Sequence, residues 1–245
     1  MPGGQADDGE HGSQRPRYRR PSMTETLLRN PDLVDARSLS RRLIHIPIVH
    51  GLADLGSLSA DVRDLYIAQK GREAWSESRR VIAAFWRDLE RKIKVLDLDC
   101  DKLRLYQDGL PVCGHEAEIV GDLAETGGMN YRILLFLMAR GATLEGTESP
   151  QLLLKEYHLL KTEAEQRRNE IRGHPSADAA AKALLQERDR FIARRISTTL
   201  QPGETGMLFV GALHRVTNWL PPTIEIKTLD DVVPECRLEQ AELLG

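Results

Sequence analysis

The sequence predicts an α/β fold, a mainly parallel β-sheet flanked by helices with a long helical pair between the middle and late strands. Three observations carry that expectation. Short apolar runs near residues 43, 103, 142 and 207 are separated mostly by segments of helical periodicity, the rhythm of a parallel sheet built from βαβ units. Met207 to Val210 is apolar at every position, as a strand buried on both faces must be. Residues 152 to 200 hold two long charged amphipathic patterns, broken at Gly173-His174-Pro175.

Taken in order, residues 1–37 are rich in Gly, Pro, Ser and Arg without periodicity and are expected to form a flexible arm, leaving 38–245 as a single α/β domain. Leu43 to His50 reads as the first strand, with Pro47 implying an edge position or a bulge because it donates no ladder hydrogen bond. Ser59 is placed to cap a helix through Val62, Leu65 and Tyr66. A second helix spans roughly 72 to 95, with Trp75, Ile82, Phe85, Trp86, Leu89 and Ile93 on one stripe. Leu103 to Gln107 is a strand closed by the turn Asp108-Gly109-Leu110-Pro111. Helices follow over 116–124 and 131–138, the latter ending at Gly141 as a C-cap. Residues 142–146 form a short strand, and Ser149-Pro150 opens the long helical pair over about 152–171 and 177–200. In the second of these, Leu184, Leu185, Arg188, Phe191, Ile192 and Arg195 form the inner stripe, with Arg188 at its border. Thr223 to Lys227 alternates like an exposed edge strand, and the residues from 229 onward read as a terminal cover.

Composition excludes several classes of function. A net charge of -3 and 5% aromatic residues argue against a general nucleic-acid binder and against stacking platforms for single strands. Cys100, Cys113 and Cys236 form no CxxC pair, which points to a reducing compartment; Cys113 beside His115 reads as a small buried residue rather than a nucleophile. Nothing approaches an apolar membrane span, and the N-terminus has no apolar secretory segment, so the expected location is cytoplasmic. P-loop, GxGxxG, GxSxG and HExxH patterns are all absent.

In a parallel sheet the carboxyl ends of the strands share one edge, where ligands bind. Each core strand here ends in a polar residue: His50 with Asp54, Asp108, Glu145 or Glu148, and His214 in Gly211-Ala212-Leu213-His214. His50, Glu145, Glu148, Arg188 and His214 are therefore the candidate catalytic residues, and Asp54, Asp108 and Arg190 the candidates for substrate contact. A histidine base, a carboxylate to orient it and an arginine for a developing oxyanion make up an acid–base hydrolase site. The same set would hold a divalent metal, Mn, Co or Zn, through His50, His214 and Glu148, so the cofactor expectation is either none or such an ion.

Four of these segments together resemble a known superfamily: Ile48-Val49-His50-Gly51, Leu144-Glu145-Gly146-Thr147-Glu148, Glu187-Arg188-Asp189-Arg190 and Val210-Gly211-Ala212-Leu213-His214. They are similar to segments of the group containing the TraB-like proteins, the TIKI-type metalloproteases, the ChaN-like proteins and the erythromycin esterases. The resemblance spans roughly residues 42 to 228. The N-terminal Gly-x-x-His of that group is missing, since Pro47 stands three residues before His50. It implies a hydrolase-like site, metal-dependent in some members and metal-independent in others. The leading expectation is a small-molecule hydrolase of ester or amide type. The alternatives are a divalent-metal-dependent hydrolase or peptidase, and a non-catalytic protein that binds a partner or homodimerises through its long charged helices.

Overall fold

The computed structural model describes residues 40–49, 59–168 and 175–233. The N-terminal arm, His50, Asp54, His174 and Cys236 lie outside the described residues. Five parallel strands form one sheet: β1 (Arg41–Ile48), β2 (Leu103–Gln107), β3 (Thr143–Glu145), β4 (Thr205–Gly211) and β5 (Ile224–Thr228), in the order β3-β2-β4-β1-β5. The helices are α1 (Ser59–Lys70), α2 (Arg72–Lys94), α3 (Glu116–Glu125), α4 (Met129–Met138), α5 (Pro150–Arg168), α6 (Pro175–Thr199) and the short α7 (Leu229–Val232). The parallel sheet with the long α5–α6 pair between β3 and β4 is the architecture that the apolar runs and helical periods predict.

Alternation along the strands sorts the core onto two faces. On one face Ile44, Ile46, Leu103, Leu105, Met207 and Phe209 pack against α2, α3 and α4. On the other, Leu43, Tyr106, Leu208 and Val210 pack against Ile192, Ala193, Ile196 and Leu200, all at the C-terminal end of α6 or just past it. The connections β1–β2 and β2–β3 step toward the β3 edge, and β3–β4 and β4–β5 step back. Putting the first pair on one face and the second on the other is what a single crossover hand requires.

β4 lies at the centre, with every residue from Gly206 to Gly211 buried, as an all-apolar strand should be. β5 is the exposed edge strand. Pro47 causes no bulge: the β1–β4 register runs unbroken through Pro47↔Val210. The edge character it needs arises because the β1–β5 ladder ends at His45↔Thr228, so Pro47 has a strand partner on the β4 side alone. On α2 only the later part of the predicted stripe is buried, at Trp86, Leu89 and Ile93. Trp75 instead meets Tyr66 of α1, ring centroids 5.4 Å apart, and α1 has no buried residue of its own. Cys113, expected to be buried, is exposed in the loop before α3. None of the described helices is long and apolar enough to cross a membrane.

The strand order sets the place of the site. At the C-terminal edge the chain leaves β2 toward β3 and leaves β4 toward β5, in opposite directions, although β2 and β4 are neighbours. That divergence makes the ends of β2 and β4 the switch point of the sheet, the position where open α/β sheets receive ligands.

Candidate functional site

Asp108 is the first residue beyond β2, Gly211 the last residue of β4, and the Asp108 carboxylate closes the gap by accepting the Gly211 N–H at 2.8 Å. Alternation puts Asp108 on the same face as Tyr106, whose hydroxyl meets Thr199 of α6 at 2.8 Å. Gly109 follows with φ 78°, a left-handed conformation that costs a glycine little and lets the chain reverse at once. The turn is then stitched to the segment after β3. Thr147 and Glu148 N–H groups both donate to Leu110 O, and Val112 N–H donates to Glu148 O at 2.9 Å. Gly146 permits this approach, because a Cβ there would fall 2.7 Å from Val112 Cα. The backbone thus brings Glu148 beside Asp108 whatever the two carboxylates' mutual repulsion. Glu148 is 0% exposed, and its Oε1 accepts from Gly109 N–H at 3.3 Å.

Arg188 of α6 fills the space between these acids. Its Nε donates to Glu148 Oε2 at 2.9 Å, and Nη2 donates to both Asp108 Oδ1 at 2.7 Å and Glu148 Oε1. Nη1 donates to Glu156 of α5, a half-buried carboxylate. Arg188 is 4% exposed, so it lies at the centre of the packed side and not at its border. His214 turns back from the end of β4, its N–H bonded to Gly211 O at 3.0 Å. Its Nδ1 lies 2.6 Å from Asp189 Oδ1, its Nε2 3.5 Å from Asp108 Oδ2, and the ring is buried. Asp189 Oδ2 also accepts the Arg215 backbone N–H at 3.0 Å.

Burial pushes the Glu148 carboxyl above its ordinary range; the Arg188 bond and charge pull it down, and the negative Asp108 beside it pushes it up again. For Arg188 burial works against the charged form, but its bond to Glu148 and the charges of Glu148, Asp108 and Glu156 outweigh burial and hold the guanidinium protonated.

One oxygen of Asp108, one of Glu148 and one ring nitrogen of His214 lie within 4.8 Å of one another, and all three residues are buried. An imidazole nitrogen and two carboxylate oxygens form the donor set of Zn²⁺, Mn²⁺ or Co²⁺ sites. With metal–ligand bonds of about 2.0–2.2 Å, the 3.5 Å between Nε2 and Oδ2 matches the separation of two neighbouring ligands without movement. His214 and Asp108 therefore fit two places around a divalent ion, and Glu148, which also accepts from Arg188, lies within reach as the third. The structure holds a buried Asp108/Glu148/His214 cluster with Arg188 beside it, an arrangement suited to binding a metal or moving protons.

Among the sequence candidates, Asp108, Glu148, Arg188 and His214 meet in one cluster. His50 and Asp54 lie outside the described residues. Glu145 goes elsewhere: its two oxygens are taken by Arg104 Nη1 and by Arg195 Nη2, the latter at 3.2 Å. Side chains on β3 alternate, and Glu145 faces these two arginines while Glu148 reaches the cluster from the loop beyond. Arg190 is exposed and stacks on the Trp219 ring, 4.3 Å from its centroid, because its direction on α6 differs from that of Arg188 by two helical steps. Two members were not singled out from the sequence. Asp189 precedes Ala193, Ile196 and Leu200 at the i, i+4, i+7, i+11 spacing of a buried stripe, a signal that marks it as inward-facing. Glu156 lies among Leu152, Leu153 and Leu159 on the less exposed side of α5.

Comparisons with protein-family models, with curated proteins and with solved structures find no match to this chain.

Proposed function

We propose that this chain is a divalent-cation-dependent hydrolase whose reacting centre lies at the C-terminal edge of the sheet, between β2 and β4. The observation that carries this reading is the convergence of Asp108, Glu148 and His214 donor atoms from three separate segments into one buried space. Hydrolysis, with a small ester or amide or a peptide as substrate, is the chemistry implied by the superfamily whose motifs the chain resembles. The burial of Arg188 and His214 together counts against a purely scaffolding role, which asks for no such enclosed cluster.

His214 Nε2, Asp108 and Glu148 would hold the ion. A bound divalent cation supplies a water of lowered pKa and polarises a carbonyl oxygen. The chain's own residues do the remaining work. Glu148, whose carboxyl burial holds above the ordinary glutamate range, is a group on which the ion would replace a proton. Arg188 gives four hydrogen bonds to three carboxylates, and so fixes Asp108 and Glu148 in place instead of reaching out to an anionic substrate. The Gly211 N–H holds the other Asp108 oxygen and keeps that carboxylate turned toward His214.

Elemental analysis of protein purified without a histidine tag, followed by Mn²⁺, Co²⁺ and Zn²⁺ titration, tests the reading. One ion bound per chain in the wild type and none in His214→Ala is the expected result. Hydrolytic activity that survives exhaustive chelation would move the reading to the metal-free ester or amide hydrolase built on the same residues. No ion bound and no hydrolysis across an ester, amide and peptide panel would remove it.

A further inference from the structure

His214 lies between two carboxylates that compete for its ring proton. On one side Nδ1 is 2.6 Å from Asp189 Oδ1; on the other Nε2 is 3.5 Å from Asp108 Oδ2. A carboxylate only accepts, so the nitrogen in true hydrogen-bond contact with it carries the hydrogen, and 3.5 Å is too long for the opposite assignment. Asp189 is itself held from two directions. It is 2% exposed on the buried stripe of α6, and its second oxygen is fixed by the Arg215 N–H at 3.0 Å. The neighbouring residues of α6 complete the arrangement: Arg188 grips Asp108 and Glu148, and Arg190 stacks on Trp219 beyond the His214 turn.

We infer that Asp189 is a positioning residue that fixes His214 as the Nδ1–H tautomer. Nε2 is then left with its electron pair directed at the space shared with Asp108 and Glu148. In that tautomer a lone pair faces a carboxylate oxygen across 3.5 Å, an arrangement completed only by an electrophile between them. Ligand histidines are oriented in this way by a carboxylate on their second nitrogen. The inference deepens the metal-centre reading and rests on it for the identity of the electrophile, whereas the tautomer itself rests on geometry alone.

The test uses the full chain labelled with ¹⁵N-histidine, with long-range proton–nitrogen correlation spectra recorded at a pH where the ring is neutral. The His214 signal is assigned by its loss in His214→Ala. The expected wild-type pattern has hydrogen on Nδ1 and none on Nε2. Asp189→Ala, or the isosteric Asp189→Asn should the former fail to fold, loses that preference and shifts hydrogen to Nε2, where Asp108 now wins it. Both variants bind Mn²⁺ or Zn²⁺ about 10- to 100-fold more weakly by calorimetry, and Asp189→Glu recovers part of the loss. A wild-type ring with hydrogen on Nε2, or on both nitrogens, overturns the inference. So does a folded variant that keeps the Nδ1–H form. If the wild type binds neither ion, the metal reading fails while the spectra still decide the role of Asp189.

Discussion

Two arginine–carboxylate clusters lie seven residues apart along α6, and their difference shows what sets a working site apart from a structural one. Arg195, with Arg104 of β2, binds Glu145; Arg104 also binds Glu204 through Nε and Nη2, the latter bond 3.0 Å long. Two guanidinium groups face two carboxylates, the charges cancel, and the side chains keep 15–28% of their exposure. At Arg188 one guanidinium faces three carboxylates, Asp108, Glu148 and the half-buried Glu156; the two innermost acids are 2% and 0% exposed. Water can screen the first cluster and hardly reaches the second. Acids crowded round one guanidinium where water hardly reaches mark a place for a proton or a cation.

The largest effect expected from this contrast is on folding. Arg188→Met leaves Asp108 and Glu148 buried without a cation and costs about 3–5 kcal/mol in urea denaturation, the usual penalty for breaking a buried pair. Adding Glu148→Gln to that variant recovers part of the loss, because one of the orphaned charges goes with it. Equal losses for Arg188→Met and Arg195→Met would show that the two clusters do the same job. The next effect is on ion binding. Mn²⁺ or Zn²⁺ at a hundred times its dissociation constant raises the wild-type stability by about 2.7 kcal/mol. Glu204→Gln keeps that gain and Glu148→Gln abolishes it; the same gain in both variants would place the ion elsewhere.

Much of the fold is legible in the sequence, and the part of the site that is not has a physical cause. The central strand, the exposed edge strand and the α5–α6 pair all follow from local periodicity, which a chain writes openly. Asp108, Glu148 and His214 were legible as polar ends of apolar runs. Their relation was not, since it depends on strand order: β2 and β4 are neighbours although about a hundred residues separate Asp108 from Gly211. Glu145 and Glu148 were inseparable for a similar reason. They are three residues apart, and only the Pro111↔Glu148 bridge, which carries the pairing beyond β3, sends the second of them inward. Asp189 stands in a run of four charges, where local sequence does not tell an inward carboxylate from a solvated one; its spacing to Ala193 and Ile196 is that of the core.

A smaller effect belongs to the balanced cluster. Glu145→Gln removes one partner of two partly exposed arginines and costs about 1 kcal/mol or less, the range of pairs that water screens. Each arginine keeps another partner, Arg104 through Glu204 and Arg195 through Gly146 O at 3.0 Å. A loss as large as that of Arg188→Met would mean that β3 depends on this pairing for its place in the sheet. The measurement is the urea midpoint at unchanged denaturant slope.

The last comparison is between the two clusters' responses to pH, and here the sign decides. Glu204 is held below the ordinary glutamate range: burial opposes this, but bonds from Arg104 and the Gln201 N–H prevail. Its share of stability is present above the ordinary pKa and is lost as pH falls through the folded value. Glu148 is held above that range by burial, so the folded state binds its proton more tightly than the unfolded chain does. Its share is present below the ordinary value of 4.5 and is lost as pH rises through the folded value. In metal-free protein the stability of the wild type relative to Glu148→Gln therefore falls as pH rises above that value, and relative to Glu204→Gln it falls as pH drops. A saturating divalent ion removes the first slope, because the cation takes the place of the proton, and leaves the second untouched. Two slopes of the same sign would mean that Arg188 holds Glu148 ionised in the metal-free protein and outweighs its burial.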